Sequence, residues 1–254
     1  MIIRKSVQEI EKMAAAGALV AETIALVGEH IRPGITTAEL DRIGEEHIAS
    51  RGGVPTSKGY RGFPAALCIS PNSVVVHGIP GPYALEEGDV VDIDIGVTLD
   101  GFVADSAYTF PVGDISDEAE RLLETCQGAL AAGIAQARVG NRVGDISAAV
   151  QDVSEDAGFG IVRSLVGHGV GRSYHEEPQI PNFGRPGRGP VLSEGMTLAI
   201  EPMITAGRPE VHVHDDGWTI STADGSLAAH FEHTVAVTEA GPRILTTSAV
   251  PLLR

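Results

Sequence analysis

The stretch VVDIDIGVTLDGFVADSAYTF, residues 90–110, decides the fold. Two apolar runs rich in β-branched residues flank an Asp-Gly dipeptide, which is typical of a two-residue type I′ turn. We therefore predict a β-hairpin in which Asp105 lies opposite Gly96, so that Asp94 and Asp105 are diagonal neighbours on one face. Carboxylates are costly to bury in an apolar sheet, and metal ions offset that cost. The hairpin therefore indicates a metal site.

The hairpin has a counterpart in the second half of the chain. LEEGDVVDID, starting at Leu85, matches LSEGMTLAIE, starting at Leu192, at an offset of 107 residues. This match places Asp94 opposite Glu201. The helical segments of the two halves repeat at almost the same offset, 106 residues. Agreement between two independent matches indicates a duplicated αβ unit.

A pair of helices is predicted before the strands of each half. Capping boxes at Ser6–Glu9 and Thr36–Glu39 open the first two helices. In the second half, the segments 122–140 and 144–160 repeat this plan at an offset of 106 residues. Each half therefore consists of two helices followed by strands.

These patterns predict an α+β fold with duplicated αβ halves. We expect one catalytic domain over residues 1–254, with halves of about 1–112 and 113–254 related by a pseudo-twofold axis. Two halves that share one core place a binding site between them.

Five potential metal ligands occur, each within its own recognisable stretch. They are Asp94, Asp105, His168 in VGHGVG, Glu201 in LAIEPM and Glu232 in HFEHTVAV. Four carboxylates and one imidazole form a hard, oxygen-rich donor set that is able to hold two divalent ions about 3.5–4 Å apart. The set predicts a dinuclear metal hydrolase.

The composition restricts the partners and the cellular compartment. The formal net charge of −16 disfavours binding to nucleic acid and attracts a basic N-terminal group of a substrate. Two cysteines, with no secretory signal before them, indicate reduced thiols. No apolar run approaches the roughly 20 residues of a membrane-spanning helix. We expect a soluble, cytoplasmic monomer that binds neither sequence-specific nucleic acid nor a membrane.

Several longer motifs together resemble a known family over nearly the whole chain. The motifs are SVVVHGIP, VVDIDIGVTLDGFVADSAYTF, VGHGVGRSYHEEPQIPNF, LSEGMTLAIEPM and HFEHTVAVT. They resemble the type I methionine aminopeptidases, which have the creatinase-like pita-bread fold. That resemblance implies a curved antiparallel sheet with outer helices. It also implies an enzyme that hydrolyses the N-terminal methionine from nascent polypeptides when the second residue is small.

The resemblance assigns roles to the five ligands. It implies that Asp94 chelates one metal ion, that His168 and Glu201 bind the other, and that the remaining two carboxylates, Asp105 and Glu232, bridge both. The two divalent ions would be cobalt, manganese, iron or zinc, since oxygen-rich sites accept each of these. They would acidify a water for attack on the peptide carbonyl.

The resemblance also implies catalytic and substrate-binding side chains that are not ligands. His77 in VVVHGIP and His175 in SYHEEP would contact the scissile peptide and stabilise the tetrahedral intermediate. Glu201 is our candidate for the group that takes the proton from the attacking water. An apolar pocket for the methionine side chain would be formed by Tyr60, Phe63, Cys68, Tyr174 and Trp218. Aromatic rings and a thiol pack well against a thioether.

Partners follow from this expected activity. The N-termini of nascent polypeptides are the implied substrates. A transient contact with the ribosome, if made, is expected to use the catalytic domain, because no extension precedes the first helix.

Two alternative functions stay open at this point. A proline-specific aminopeptidase or a prolidase would share the same five ligands, but such relatives usually carry an additional N-terminal domain. The short span between Glu201 and Glu232 resembles type I enzymes. A non-catalytic binding module on the same fold would be expected to lack a ligand, and all five are present.

Other metal and nucleotide signals are weaker. HEEPQ is not the zinc motif HExxH, since the residue four after His175 is Gln179 and Pro178 disfavours a helix. GHGVG lacks the third glycine of a dinucleotide-binding loop. His212 and His214 share a strand face, and we interpret them as a solvated strand end.

Overall fold

The computed structural model describes residues 1–247 of the chain, and these residues form helices and antiparallel strands. The helices are α1 (Val7–His30), α2 (Thr37–Ser50), α3 (Asp117–Ala135) and α4 (Val143–Asp156), with a 3-10 turn at Tyr60–Gly62. The earlier strands are β1 (Val54–Pro55), β2 (Cys68–Pro71), β3 (Val74–Val76), β4 (Val90–Leu99) and β5 (Phe102–Pro111). The later strands are β6 (Gly160–Ile161), β7 (Val166–Gly169), β8 (Glu176–Pro181), β9 (Thr197–Ile200), β10 (Met203–Thr205), β11 (Val211–Val213), β12 (Ile220–Thr222), β13 (Ala228–His230), β14 (His233–Thr238) and β15 (Gly241–Ile244).

Both predicted capping boxes are present. The Ser6 hydroxyl accepts a hydrogen bond from the Glu9 N–H at 3.3 Å, and the Glu9 carboxylate accepts one from the Ser6 N–H at 2.9 Å. Thr36–Glu39 repeats this arrangement at the start of α2. Such caps satisfy backbone N–H groups that have no partner within the helix. Helix α3 begins at Asp117, earlier than the predicted segment 122–140, because Ser116 caps it.

The predicted hairpin is confirmed in its register. Strands β4 and β5 pair antiparallel with Gly96 opposite Asp105 and Asp94 opposite Ala107. Asp100 and Gly101 both have positive φ, at 50° and 78°, as a type I′ turn requires. The turn therefore fixes which face of each strand carries the carboxylates.

Two antiparallel sheets carry the functional side chains. In the first, β4 pairs with β1, β2 and β5; in the second, the strand order is β15-β14-β9-β7-β8. A bridge between Tyr108 and Phe231 joins β5 to the segment before β14. The main apolar core is continuous across this junction, since Ile93, Leu198 and Val235 are all fully buried in it. The two halves therefore share one core.

The two halves repeat the same local contacts. The Leu85 carbonyl accepts a hydrogen bond from the Gly34 N–H at 2.7 Å, and the Leu192 carbonyl accepts one from the Gly140 N–H at 3.0 Å. These donors and acceptors are related by the offsets found in the sequence. The predicted duplication is confirmed. A single domain with a division near residue 112 stays a prediction.

Within residues 1–247, no helix has both the length and the apolar character that crossing a membrane requires.

Candidate metal centre and substrate cavity

A cavity of about 270 Å³ lies between the two halves. The structure brings together every site residue predicted from the sequence, because all of them line this cavity. They are Tyr60, Phe63, Cys68, His77, Asp94, Asp105, His168, Tyr174, His175, Glu201, Trp218 and Glu232.

Strands from both sheets position the five candidate ligands. Asp94 lies on β4, Asp105 on β5 and His168 on β7. Glu201 directly follows β9, and Glu232 lies between β13 and β14. Because strands hold their side chains in a fixed alternation, the backbone sets the direction of each ligand before any ion binds.

The ligand atoms of three of these residues converge closely. One ligand atom each from Asp105, His168 and Glu232 lies within 4.8 Å of the other two. The Nε2 atom of His168 lies 3.8 Å from Asp105 Oδ2 and 3.5 Å from Glu201 Oε1. Its Nδ1 atom lies 2.9 Å from the Gly169 carbonyl oxygen, which makes Nδ1 the protonated nitrogen. The Nε2 lone pair is therefore directed at the carboxylates, as metal binding requires.

Three of the carboxylates each have one oxygen without a hydrogen-bond partner among the described residues. Asp94 Oδ1, Asp105 Oδ1 and Glu232 Oε1 are buried, and none has a hydrogen-bond partner among residues 1–247. Buried carboxylate oxygens of this kind are costly unless a cation or a proton compensates them. These three carboxylates, together with Glu201 and one free imidazole nitrogen, fit divalent metal ions.

The electrostatics of the metal-free site agree with this interpretation. Burial raises the pKa of Asp94 to about 7 and that of Glu201 to about 8. Burial, followed by the charges of Asp94 and Asp105 respectively, raises the pKa of Asp105 and of Glu232 well above the usual range. Without cations these carboxylates therefore compete for protons, and a divalent ion would displace those protons.

Hydroxyl groups fix the backbone of Asp105 and of Glu232. The Thr234 hydroxyl accepts a hydrogen bond from the Asp105 N–H at 2.9 Å and donates one to the Asp105 carbonyl at 2.8 Å. The Ser106 hydroxyl donates to the Glu232 carbonyl at 2.5 Å. These bonds join β5 to the HFEHT segment, so the relative position of Asp105 and Glu232 depends on both halves.

His77 has an unusual backbone conformation. Its φ is +57°, which costs an ordinary residue roughly 1–2 kcal/mol and is concentrated at functional sites. The Gly78 N–H that follows donates to the Ser70 hydroxyl at 3.1 Å, and a Cβ atom on Gly78 would lie 2.2 Å from the Ile69 carbonyl oxygen. The backbone at Gly78 therefore has no room for a side chain, and the neighbouring His77 lines the cavity. Burial lowers the pKa of His77 to about 4, so its imidazole is neutral.

His175 lines the same cavity, beside His168. Its ring stacks on Tyr60, with 5.3 Å between the ring centroids, and its centroid lies 4.1 Å from that of His168. Partial burial and the neighbouring His168 lower the pKa of His175. Two neutral imidazoles therefore border the predicted metal site.

The predicted methionine pocket consists of two groups of side chains. Phe63, Cys68 and Trp218 pack together, with the Phe63 and Trp218 rings 5.2 Å apart and edge to face. Tyr60 and Tyr174 form a second pair at 5.2 Å. Burial raises the pKa of the Cys68 thiol, which is therefore a packing surface and not a nucleophile.

The sequence interpretation missed a buried ion pair beneath the ligands. His230 Nδ1 lies 3.3 Å from Asp92 Oδ2, and His230 Nε2 lies 3.8 Å from Glu201 Oε2. Burial alone would lower the pKa of His230, but the facing carboxylates outweigh it and raise the pKa to about 9. A usable signal existed for Asp92, because it precedes the ligand Asp94 by two residues on β4 and therefore shares its strand face. Arg61 at the cavity wall was also missed.

Two of the weaker signals agree with their sequence interpretation. His212 lies on β11 and His214 directly follows that strand; both are exposed and their rings stack 4.8 Å apart, in agreement with a solvated strand end. The HEEPQ segment lies mostly within strand β8 and not in a helix, which excludes a zincin arrangement.

A duplicated α+β fold that directs carboxylates and an imidazole into one cavity defines a metal-dependent hydrolase. Residues 11–239 match Metallopeptidase family M24, and the chain belongs to this family.

Relatives in this family resemble the chain over nearly its whole length. The chain is 55% identical over 246 residues to the methionine aminopeptidase of Clostridium perfringens (strain 13 / Type A), covering 97% of this chain and 99% of that protein. The crystal structure of methionine aminopeptidase from Rickettsia prowazekii superposes with a TM-score of 0.96 at 41% identity, covering 97% of this chain and 100% of that one. The predicted resemblance and the pita-bread fold are confirmed.

A more distant neighbour shows the fold alone. Prolidase from Pyrococcus furiosus superposes with a TM-score of 0.78 at 22% identity, covering 98% of this chain and 66% of that chain. The larger size of this neighbour agrees with the expected additional domain of proline-specific relatives.

Proposed function

We propose that this protein removes the N-terminal methionine from peptides and nascent polypeptides whose second residue is small. The single observation that carries the proposal is the convergence of the carboxylate cluster, two neutral histidines and an aromatic-lined pocket on one cavity. Similarity to named methionine aminopeptidases supports the substrate.

We also propose that the site binds two divalent ions. Asp94, Asp105, His168, Glu201 and Glu232 would hold them, and oxygen-rich donors are compatible with cobalt, manganese, iron or zinc. When bound, such ions lower the pKa of a coordinated water and polarise a carbonyl group. Unpartnered buried oxygens on Asp94, Asp105 and Glu232 support this assignment.

Glu201 is the proposed proton acceptor of the reaction. Its carboxylate lies at the cavity wall, and its pKa is raised to about 8 in the metal-free protein. With a divalent ion in place of that proton, a carboxylate at the cavity wall is able to accept a proton from the attacking water and return it to the leaving amine. Its Oε1 atom is directed towards His168, whereas Oε2 is directed towards His230. The two oxygens therefore have different neighbours.

His77 and His175 are the proposed contacts to the scissile peptide. Neutral imidazoles are able to donate one hydrogen bond to a carbonyl oxygen that gains negative charge, or to accept one from the peptide N–H. Because both side chains line the cavity, they would also orient the peptide within it.

The side chain of methionine is proposed to occupy the pocket of Phe63, Cys68 and Trp218. The edge-to-face packing of Phe63 and Trp218 exposes apolar ring surface to the cavity. A thioether makes favourable contacts with aromatic rings. The preference for a small second residue is carried over from the resemblance.

We propose that the protein acts in the cytoplasm, where nascent N-termini arise, and that a contact with the ribosome is transient. Neither alternative function has a specific observation in its favour. The similarity to prolidase is limited to the fold. A binding module without catalysis would not need all five metal ligands, and all five are present.

The proposal is tested by removing metal from the purified protein with a chelator and restoring single metals. Peptides that begin with Met-Ala, Met-Leu and Ala-Pro are then assayed. We expect hydrolysis of Met-Ala alone, and only after metal is restored. Hydrolysis of Ala-Pro would favour a proline-specific enzyme, and inactivity with every metal would favour the binding module.

A further inference from the structure

A buried ion pair joins the N-terminal segment to the turn that carries His175. The Lys5 ammonium donates to Glu176 Oε2 at 2.6 Å, and the two side chains are only 3% and 6% exposed. These residues are 171 positions apart in the chain. Buried pairs of this kind require good geometry, because both charges lose their hydration.

The other carboxylate oxygen of Glu176 organises the turn itself. Glu176 Oε1 accepts hydrogen bonds from the Arg172 N–H at 2.9 Å and the Ser173 N–H at 3.2 Å. Each carboxylate oxygen therefore has a donor, one oxygen from the turn and the other from Lys5. Charge-assisted bonds of this type are shorter and stronger than neutral ones.

The backbone makes room for the lysine at two glycines. A Cβ atom on Gly171 would lie 2.4 Å from Lys5 Cε, and one on Gly195 would lie 2.6 Å from the Lys5 carbonyl oxygen. The Lys5 N–H also donates to the Gly195 carbonyl at 2.6 Å. The lysine is thus held along its whole length, against both the turn and the segment before β9.

The turn held in this way ends at the cavity. His175 immediately precedes Glu176, and its ring lies over that of His168. Tyr174 is fixed separately, since its hydroxyl is hydrogen-bonded to the Ser57 hydroxyl at 3.0 Å. Tyr174 therefore fixes the chain just before His175, and Glu176 fixes it just after.

We propose that Lys5 is a positioning residue that acts through Glu176 to hold the His175 imidazole against the substrate. This inference rests on the proposed function for the role of His175. Whether Lys5 stabilises the turn is a separate question, and it can be measured without an activity assay.

The test uses Lys5→Met, with Lys5→Arg as the conservative variant and Lys12→Met as the matched control. Lys12 is an exposed lysine on α1 above the Phe102 ring. We expect Lys5→Met to lower kcat on a Met-Ala-Ser peptide on the order of 100-fold, the loss typical of a misplaced catalytic group, with little change in KM. Lys5→Arg should recover part of the loss, and Lys12→Met should behave as wild type.

A double-mutant cycle separates positioning from general stability. In a His175→Ala background, Lys5→Met is expected to cause no further loss of kcat, since its effect operates through that imidazole. Hydrogen exchange is expected to show faster exchange at the Arg172 and Ser173 amides, while metal content stays unchanged. Should Lys5→Met fail to fold, Lys5→Gln, which keeps a donor and removes the charge, takes its place in both measurements.

Three outcomes would overturn the inference: unchanged kcat, an equal loss in the His175→Ala background, or unchanged exchange at the two amides. A fall in metal content that matches the loss of kcat would also overturn it, by placing the effect at the metal site. If the wild-type protein failed to cleave the peptide, the proposed function would fail, and the exchange data would still decide whether Lys5 holds the turn.

Discussion

Replacing Glu201 with glutamine tests the electrostatic cost of the cavity in the metal-free protein. Burial raises the pKa of Glu201 from 4.5 to about 8. Between these pH values the folded chain keeps a proton that the unfolded chain has released. The free energy of unfolding therefore falls as the pH rises through this window. Below pH 4.5 the two states are both protonated, and the cost is absent.

The size of the effect follows from the change in proton affinity. Since a tenfold change in affinity corresponds to about 1.4 kcal/mol, the upper limit at pH 8.5 is about 4–5 kcal/mol. The variant also removes the Glu201 carboxylate that lies 3.8 Å from His230 Nε2. Losing this attraction makes the gain in the free energy of unfolding smaller than the upper limit. We expect Glu201→Gln to raise the free energy of unfolding by about 2–3 kcal/mol at pH 8.5 and by less than about 1 kcal/mol at pH 5.

The assay is urea denaturation followed by circular dichroism, in the presence of a chelator, at both pH values. Glu210→Gln is the matched control, since Glu210 is exposed. When divalent metal is restored, we expect the wild type to become more stable than Glu201→Gln. Metal binding stabilises the folded wild type, whereas the variant has lost one of the carboxylates that would bind the metal. A variant that is no more stable than wild type at pH 8.5, or a difference equal at both pH values, would refute the electrostatic reasoning.

Three further predictions concern single side chains of the cavity. Asp105→Ala is expected to abolish hydrolysis of Met-Ala-Ser with an unchanged circular dichroism spectrum, because the variant loses a ligand that we propose both ions share; near-normal turnover by the folded variant would contradict that role. Trp218→Ala is expected to lower the ratio of kcat/KM for Met-Ala-Ser over Leu-Ala-Ser, since an aromatic wall of the pocket is removed; an unchanged ratio would reject the pocket assignment. His175→Ala is expected to lower kcat by the same factor at pH 6 and pH 8, because the lowered pKa of His175 keeps it neutral at both; a factor that differs between them would show that His175 titrates there.

The parts of the fold that the sequence predicted are those governed by local rules. The β4–β5 register followed from one Asp-Gly turn, and both capping boxes followed from residues three apart. The start of α3 was predicted too late because Ser116 lies before the apolar repeat on which the prediction depended. Local signals therefore fixed the elements and left one boundary displaced.

The candidate site was predictable in composition but not in its supporting contacts. Motifs identified the ligands, and the structure places them on one cavity. The contact of Lys5 with Glu176 spans 171 positions, and Lys5 lies in none of the motifs. Asp92 and His230 likewise meet across 138 positions. Such pairs depend on how the sheets are brought together, which no local pattern encodes.

The two halves differ in chemistry at equivalent strands on the two sides of the cavity. In each half, a central strand pairs on both sides: β4 with β2 and β5, and β9 with β7 and β14. In the first half, β2 places Cys68 directly opposite Asp94. In the second half, β7 occupies the corresponding position and carries His168 beside the end of β9, where Glu201 follows. Equivalent flanking strands thus present a thiol on one side and an imidazole on the other. Because a buried neutral thiol is an apolar surface and an imidazole is a ligand, this difference supports the proposed placement of the methionine side chain towards the first half and of one metal ion towards the second.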